Sequence, residues 1–349
     1  MTDPALNILC EQLASTNGEK LLIADEHLDC KQLLALKALP GLTLLTNRFD
    51  IAETANKVNI PCTFNDMDLL ACKKKYDLIA YRVSKEKAIV HHIINQAARV
   101  LTHTGKLTLS GYKNEGIKTY ISKAENYFGT KSLQSKGQHT LKVAHFQAPE
   151  TTERGLPLDD KDYPQTLAIG STQNLTLYSK PGQFGWNKLD QGSLLLLDVF
   201  AEYLSEQPTK PKTLLDLGCG YGLLSVGAWA LGIPDITATD NNAAAIASCR
   251  YNFDQHGIQG DVIVDDCAAS IHHQYDVILC NPPFHKGFGT EKDLTVKFVR
   301  SAGHHLKKKG VAFFVVNQFI PIEKVAVDCF TVVQTIQRNK SFKVVKLSS

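Results

Sequence analysis

No stretch of this 349-residue chain approaches the roughly 18 apolar residues of a membrane-spanning helix; the densest run, Val311 to Val316, is six long. The first residues, MTDPALNILCEQL, lack the basic-then-apolar layout of a secretory signal. These absences speak against a membrane helix and a secreted product, and the expected place is the cytoplasm. The nine cysteines, at 10, 30, 62, 72, 219, 249, 267, 280 and 329, never fall in a CxxC spacing. That argues against a zinc ribbon or a thioredoxin-type site, and neither a metal nor a membrane partner is expected. Several lie inside apolar stretches, as in Val277-Ile-Leu-Cys280, and read as small buried hydrophobes. With 44% hydrophobic residues the chain is not disordered along most of its length. A protein of this size buries about three quarters of its unfolded surface and needs no disulfide or metal to fold.

Neither sign of charge dominates: 38 Lys and Arg stand against 35 Asp and Glu, a net +3. The distribution says more than the sum. From Ser301 onward eight cations (Lys307, Lys308, Lys309, Lys324, Arg338, Lys340, Lys343, Lys346) face two acids, Glu323 and Asp328; Lys73-Lys74-Lys75 is a second cluster. Such clusters suit a polyanionic partner, the alternative being a solvated loop face.

At roughly 150 residues per domain, two domains are expected. The stretch QAPETTERGLPLDDKDYPQ, beginning at Gln147, is polar, Pro-bearing and without apolar periodicity. It reads as a linker over residues 148–165, between domains at 1–147 and 166–349. The second half alternates short apolar runs (Thr213–Leu217, Asp235–Asp240, Asp261–Val264, Tyr275–Cys280) with helical patterns, including an Ala-rich one over residues 242–253. That alternation predicts an α/β fold with a mostly parallel sheet. The tail predicts two antiparallel strands joined by a turn at Arg338-Asn-Lys-Ser341.

The first half repeats the order. Lys20-Leu-Leu-Ile-Ala-Asp25 matches the run at 213, Leu42-Thr-Leu-Leu-Thr-Asn47 matches Ile236-Thr-Ala-Thr-Asp-Asn241, and Tyr76-Asp-Leu-Ile-Ala80 matches Tyr275-Asp-Val-Ile-Leu279. The first interval is 21 residues (21 to 42) against 22 (214 to 236); the next is 34 (42 to 76) against 39 (236 to 275). Two copies of one fold account for this better than two unrelated α/β domains.

The run at 213 ends in Asp216-Leu-Gly218-Cys219-Gly220-Tyr-Gly222, followed by a helical pattern. Glycines at a strand-to-helix turn let backbone approach a ligand. The spacing is G-x-G-x-G, so the G-x-G-x-x-G of a nicotinamide site is not met. Asp240 lies 22 residues after Gly218, at the end of the next strand, where a carboxylate accepts from ribose hydroxyls. The pair points to an adenosine-containing cofactor.

Cys280-Asn281-Pro282-Pro283-Phe284-His285 follows the fourth strand. Two prolines stiffen the turn and remove two N–H donors, leaving neutral acceptors that suit an exocyclic amine. Phe284 offers a face on which a flipped-out base stacks. In a doubly wound sheet this turn and the glycine loop meet beyond the carboxyl ends of the strands.

With Asn281-Pro-Pro-Phe284 and Asp216-Leu-Gly-Cys-Gly-Tyr-Gly222 the chain resembles the class I S-adenosylmethionine-dependent amino methyltransferases. The His after Phe, the degenerate first half, and Leu189-Asp190-Gln-Gly192-Ser193 with Leu194 to Leu197 resemble the ribosomal RNA guanine-N2 methyltransferases of the RsmC type. The resemblance is specific from about Gly182 to Ser349 and looser before. It implies two tandem Rossmann-like methyltransferase domains, with a seven-stranded mostly parallel sheet and a C-terminal antiparallel hairpin, the N-terminal copy degenerate. It implies S-adenosylmethionine as methyl donor and a guanine N2 amine of small-subunit (16S) ribosomal RNA as target, with the large subunit as the neighbouring alternative. Carried over by residue, Asp216, Gly218, Cys219, Gly220 and Gly222 line the methionine and ribose, Asp240 holds the ribose hydroxyls, and Asn241 sits beside the adenine. Asp266 accepts from the adenine amine, Asp265 being the less favoured neighbour. Asn281, Pro282 and Pro283 present and orient the amine, and Phe284 stacks on the base. His285 contacts RNA or packs against the turn, with a general base as the alternative. Lys286 and the basic cluster Lys307, Lys308 and Lys309 are the expected RNA contacts. Asp190, Gly192 and Ser193 lie near the cofactor mouth without an assigned chemistry.

No Cys or Ser/His constellation accompanies the turn, so direct transfer without a covalent enzyme intermediate is expected. DNA adenine and protein glutamine methyltransferases use similar Asn-Pro-Pro-aromatic turns, and Phe followed by His favours guanine in RNA over both. A non-catalytic RNA-binding assembly factor is the reading from another class; the intact glycine loop argues against it. The first half has Ala24-Asp25-Glu26-His27 in place of the glycine loop and Tyr81-Arg82-Val83-Ser84 around the place of the Asn-Pro-Pro turn. It is expected to be catalytically silent and to bind RNA or support its partner half.

Overall fold

The computed structural model describes residues 3–28, 30–136, 140–148, 154–283 and 288–349, in two units, Met1–Pro164 and Gln165–Ser349. The first unit runs α1 (Pro4–Ser15), β1 (Lys20–Ala24), α2 (Cys30–Leu36), β2 (Leu42–Thr46), α3 (Phe49–Lys57), β3 (Cys62–Phe64), β4 (Tyr76–Arg82), α4 (Lys87–Val100), β5 (Leu101–Tyr112), α5 (Ile117–Phe128), β6 (Leu133–Lys136) and β7 (Leu141–Gln147). The second opens with a two-stranded hairpin, β8 (Leu167–Thr172) and β9 (Leu175–Ser179). It continues with α6 (Gln191–Glu206), β10 (Thr213–Leu217), α7 (Leu223–Ala230), β11 (Asp235–Asp240), α8 (Ala243–His256), β12 (Asp261–Val264), β13 (Tyr275–Cys280), α9 (Phe288–His305), β14 (Leu306–Asn317), α10 (Ile322–Ala326), β15 (Val332–Arg338) and β16 (Phe342–Ser348).

The two seven-stranded sheets have one topology: β3-β2-β1-β4-β5-β7-β6 in the first unit and β12-β11-β10-β13-β14-β16-β15 in the second. In both, the first five strands are parallel and the last two form an antiparallel hairpin. Even the register agrees, Lys20 pairing with Leu42 as Thr213 pairs with Asp235. Each unit is thus a doubly wound α/β sheet, as the repeated spacing predicts, and both units carry the terminal hairpin.

The strands are apolar on both faces because helices cover both. In the second sheet Leu214, Val277, Leu279 and Phe313 join a core with Phe200 of α6, Leu224 of α7 and Phe253 of α8. The alternate residues Leu215, Leu217, Ile278, Cys280 and Phe314 pack with Phe298 and Val299 of α9 and Ile322 of α10. The Tyr-Asp pair that opens the fourth strand has a structural duty in each copy. The Asp77 carboxylate accepts from Glu19 N at 2.9 Å, and the Asp276 carboxylate accepts from Lys212 N and Thr213 N at 3.0 Å each, pinning the start of the first strand. No helix among the described residues is long and apolar enough to cross a membrane.

Residues 154–164, which have the composition of a linker, pack on the first unit. Tyr163 is 1% exposed, stacks on His92 with centroids 4.3 Å apart, and donates its hydroxyl to Asp66 at 2.8 Å. One aromatic among polar residues anchors the strand-free segment, a signal that composition averaging hides.

Candidate active site

The glycine loop caps β10. Gly218 N and Cys219 N both donate to the Thr239 carbonyl, at 2.9 and 2.8 Å, bending the chain over the end of β11. Gly220 N donates to Asp240 Oδ2 at 3.0 Å, and Asn242 N donates to Asp240 Oδ1 at 2.9 Å. One half-buried carboxylate therefore ties the loop to the start of α8. Gly220 has φ 55° and Gly222 φ 86°, left-handed values that favour glycine. At Gly222 a Cβ would also meet Cys249 Sγ at 2.8 Å, whereas at Gly220 the nearest atom, Gln183 Oε1, is 3.9 Å away. Among the described residues the loop is closed below and open above Gly220.

Asp216 lies under the loop with no exposed surface. Ser225, in the first turn of α7, donates to its Oδ2 from N at 2.9 Å and from Oγ at 2.6 Å, while Oδ1 is buried without a partner. Burial pushes this carboxyl up, the Ser225 hydrogen bonds oppose the rise, and the Asp240 charge adds to it; the result is about 7. Asp216, expected to line the cofactor, is fully buried and braces the loop from beneath through Ser225.

Asn281 follows β13 at the same end of the sheet. Its Nδ2 donates to Asp190 Oδ2 at 2.7 Å and to Ser193 Oγ at 2.9 Å, which commits both amide hydrogens and leaves Oδ1 as the acceptor. Asp190 is also the N-cap of α6, accepting from Ser193 N at 2.7 Å. Tyr221 of the glycine loop receives Asp190 N on its hydroxyl at 3.1 Å, so loop and turn share a support. This is the chemistry that the sequence did not assign to Asp190 and Ser193. The cap signature was readable; its second use, across 91 residues, was not. Pro282 is buried and Pro283 exposed. Phe284, His285 and Lys286 lie outside the described residues.

Asn241, half-buried, follows Asp240 directly. Of the two acids after β12, Asp265 is 2% exposed and consumed as a cap, accepting from Ala269 N, Ser270 N and Ser270 Oγ. Asp266 is the more open one and pairs with Lys297.

The basic triplet does not share this end. Lys307, Lys308 and Lys309 sit at the start of β14, beside the start of β13, about 20 Å of strand from Asn281. Lys307 donates to Asp276 Oδ1 at 2.9 Å. Burial works against ionisation of Asp276, yet hydrogen bonds from Lys307 and from the Thr213 and Lys212 backbone hold it down at about 2. Charge counting along the chain has no means of telling the two ends of a strand apart. Among the described residues no group of three His, Cys, Asp or Glu is placed to hold a metal ion.

The first unit keeps the frame and replaces the chemistry. Counting six residues from Tyr76, as Asn281 counts from Tyr275, gives Arg82. Its Nε donates to Asp3 Oδ2 at 2.7 Å, and Asp3 is the N-cap of α1 as Asp190 is of α6. A second arm of Arg82 reaches Glu115 at 2.7 Å. Where the glycine loop stands in the other copy, Asp25 pairs with His27 at 2.7 Å. The amide acceptor has become a buried ion pair.

Residues 174–346 match the family model of the methyltransferase small domain. Ribosomal RNA small subunit methyltransferase C of Shewanella loihica is 28% identical over 305 residues, 87% of this chain and 85% of that one. Its namesake in Haemophilus influenzae (strain PittEE) is 28% identical over 339 residues, 97% and 96% of the two chains. Among solved structures, the T. thermophilus 16S rRNA N2 G1207 methyltransferase, in complex with AdoMet and guanosine, superposes with a TM-score of 0.85 at 22% identity, over 99% of this chain and 92% of that one. Residues 174–346 thus match the methyltransferase small domain, and across nearly its whole length the chain is similar to the ribosomal RNA small subunit methyltransferases C.

Proposed function

We propose that this chain transfers a methyl group from S-adenosylmethionine to the exocyclic N2 amine of a guanine in 16S ribosomal RNA, acting in the cytoplasm on the small ribosomal subunit. The carrying observation is the locked amide of Asn281, whose Oδ1 is the acceptor left over at the carboxyl end of β13. The likeness over nearly the full length to chains named ribosomal RNA small subunit methyltransferase C supports methyl transfer to small-subunit ribosomal RNA.

The residues fit the cofactor. Among the described residues the loop is open above Gly220, and a carboxylate, Asp240, stands at the end of the second strand, where adenosine cofactors present ribose hydroxyls. Gly218, Cys219, Gly220 and Gly222 would hold the methionine and ribose, Asp240 the ribose hydroxyls, and Asn241 and Asp266 the adenine. When bound, S-adenosylmethionine supplies an electrophilic methyl on a sulfonium. The chain's own work is positioning. Asn281 Oδ1 and the Pro282 carbonyl accept the two amine hydrogens, which concentrates density on nitrogen and fixes its approach; alignment of this kind supplies several kcal/mol of barrier lowering. Phe284 as stacking face, and His285 and Lys286 as RNA contacts, rest on sequence position alone.

The test is transfer of labelled methyl to small-subunit particles and to naked 16S RNA. Label in either supports the proposal, and label in neither contradicts it. Asp240→Ala is expected to raise the cofactor Kd by about 10- to 100-fold in calorimetry, the loss of charged hydrogen bonds of about 1.5–3 kcal/mol; unchanged binding would remove Asp240 from the site. The first unit, with Arg82 and Asp25 in the places of the two devices, is proposed to be silent and to support RNA binding. One cofactor per chain is the expected stoichiometry, and two would contradict it.

A further inference from the structure

Phe319, in the loop between β14 and α10, is 82% exposed, more than any other aromatic side chain among the described residues. Its backbone is fixed. Phe319 N donates to Asn317 Oδ1 at 3.1 Å, Ile320 N to Asn317 O at 3.0 Å, and Gln318 N to Ser341 O at 3.0 Å; Gln318 Nε2 donates to the Lys340 carbonyl. A ring held in water by a pinned loop fills no core. Its place relates it to Asn281. Cys280 pairs with Phe314, so Asn281 is level with Val315 and Phe319 lies at most about 13 Å beyond that level. Phe342, paired with Asn317, brings its ring within 3.2 Å of where a Gly192 Cβ would stand, between the Asp190 and Ser193 that hold Asn281.

The turn tied to this loop carries Arg338 and Lys340, both exposed and without an acidic partner among the described residues; nearby Lys343 is buried and spent on Glu323 at 2.6 Å. An open aromatic face beside two uncompensated cations matches a single-stranded nucleic acid, which stacks bases and follows its backbone with positive charge. We propose that Phe319, Arg338 and Lys340 form a stacking platform for a nucleotide flanking the base presented to Asn281. This deepens, and rests on, the reading of the chain as an RNA methyltransferase.

The experiment uses the full chain and a short fluorescein-labelled single-stranded RNA of mixed sequence, followed by anisotropy, with calorimetric cofactor binding as the folding control. F319A is expected to bind this RNA about tenfold more weakly with cofactor binding unchanged, and F319W to restore it within about twofold. R338A/K340A is expected to flatten the slope of log K against log salt by about 1.4, the share of two phosphate contacts on a single strand. F319A within twofold of the parent, or F319W failing to restore, overturns the platform. If F319A loses the cofactor as well, the R338A/K340A slope decides, and an unchanged slope overturns it. Transfer assays keep the two readings apart. Normal RNA binding and transfer by F319A sinks the platform alone. Weakened RNA binding by F319A, with no transfer by the parent to particles or RNA, sinks the assigned reaction alone.

Discussion

Replacing Asn281 by alanine is expected to lower methyl transfer by roughly 10²- to 10³-fold while cofactor affinity stays within a few-fold, since losing one preorganised polar contact at the reacting atom costs about that much. The amide is held through Nδ2 by Asp190 and Ser193, so Oδ1 requires no reorganisation when the amine arrives. Asn281→Asp is a sharper control. It keeps an acceptor of the same shape but sets a second carboxylate where Nδ2 now meets Asp190 at 2.7 Å. Repulsion turns or protonates it, and transfer falls although volume is unchanged. Asp190→Ala is milder: Ser193 still engages one amide hydrogen, kcat drops less, and the lost helix cap costs about 1 kcal/mol of stability. Full turnover by Asn281→Ala would refute the assignment.

The second large effect concerns Asp216. Its carboxyl is raised from 3.8 to about 7, chiefly by burial. The folded state therefore holds this proton more tightly than the unfolded chain. The stability contributed is complete below pH 3.8 and is lost as pH rises through about 7, a swing of about 4 kcal/mol. Asp216→Asn removes the buried charge and keeps an acceptor for Ser225. It is expected to be more stable than the parent at pH 8 by a few kcal/mol, the difference vanishing near pH 4, in paired thermal melts. The same change is expected to weaken binding of a cationic cofactor, because a negative charge directly below the loop is lost. In the parent, cofactor affinity is expected to rise with pH across neutrality, and in the variant that rise disappears. A variant less stable than the parent at pH 8 would contradict the account.

Much of the frame was readable from residues alone. Short apolar runs gave the strands because both faces of each sheet are covered, and the 21- against 22-residue spacing gave the duplication because equal crossovers need equal lengths. The tight turn after β10 and the acid at the end of β11 were legible because left-handed turn positions demand glycine and strand and crossover lengths set the acid's offset. What stayed hidden depends on contacts between distant positions. Asp190 meets Asn281 only because α6 starts over the end of β13. Asp216, read as a lining residue, proves to lie wholly beneath its loop. Lys307–309, expected as RNA contacts, stand at the opposite end of the strand from Asn281, a separation that only strand direction reveals. Arg82 reads as a lost motif, yet it preserves the Asn281–Asp190 frame as an ion pair to Asp3.

Nucleoside analysis of labelled 16S RNA tests the central claim most directly. All label is expected to elute as N2-methylguanosine with the parent chain, and almost none with Asn281→Ala. Label in methyladenosine or in protein, or equal N2-methylguanosine from the variant, would show that the acceptor turn does not present a guanine amine.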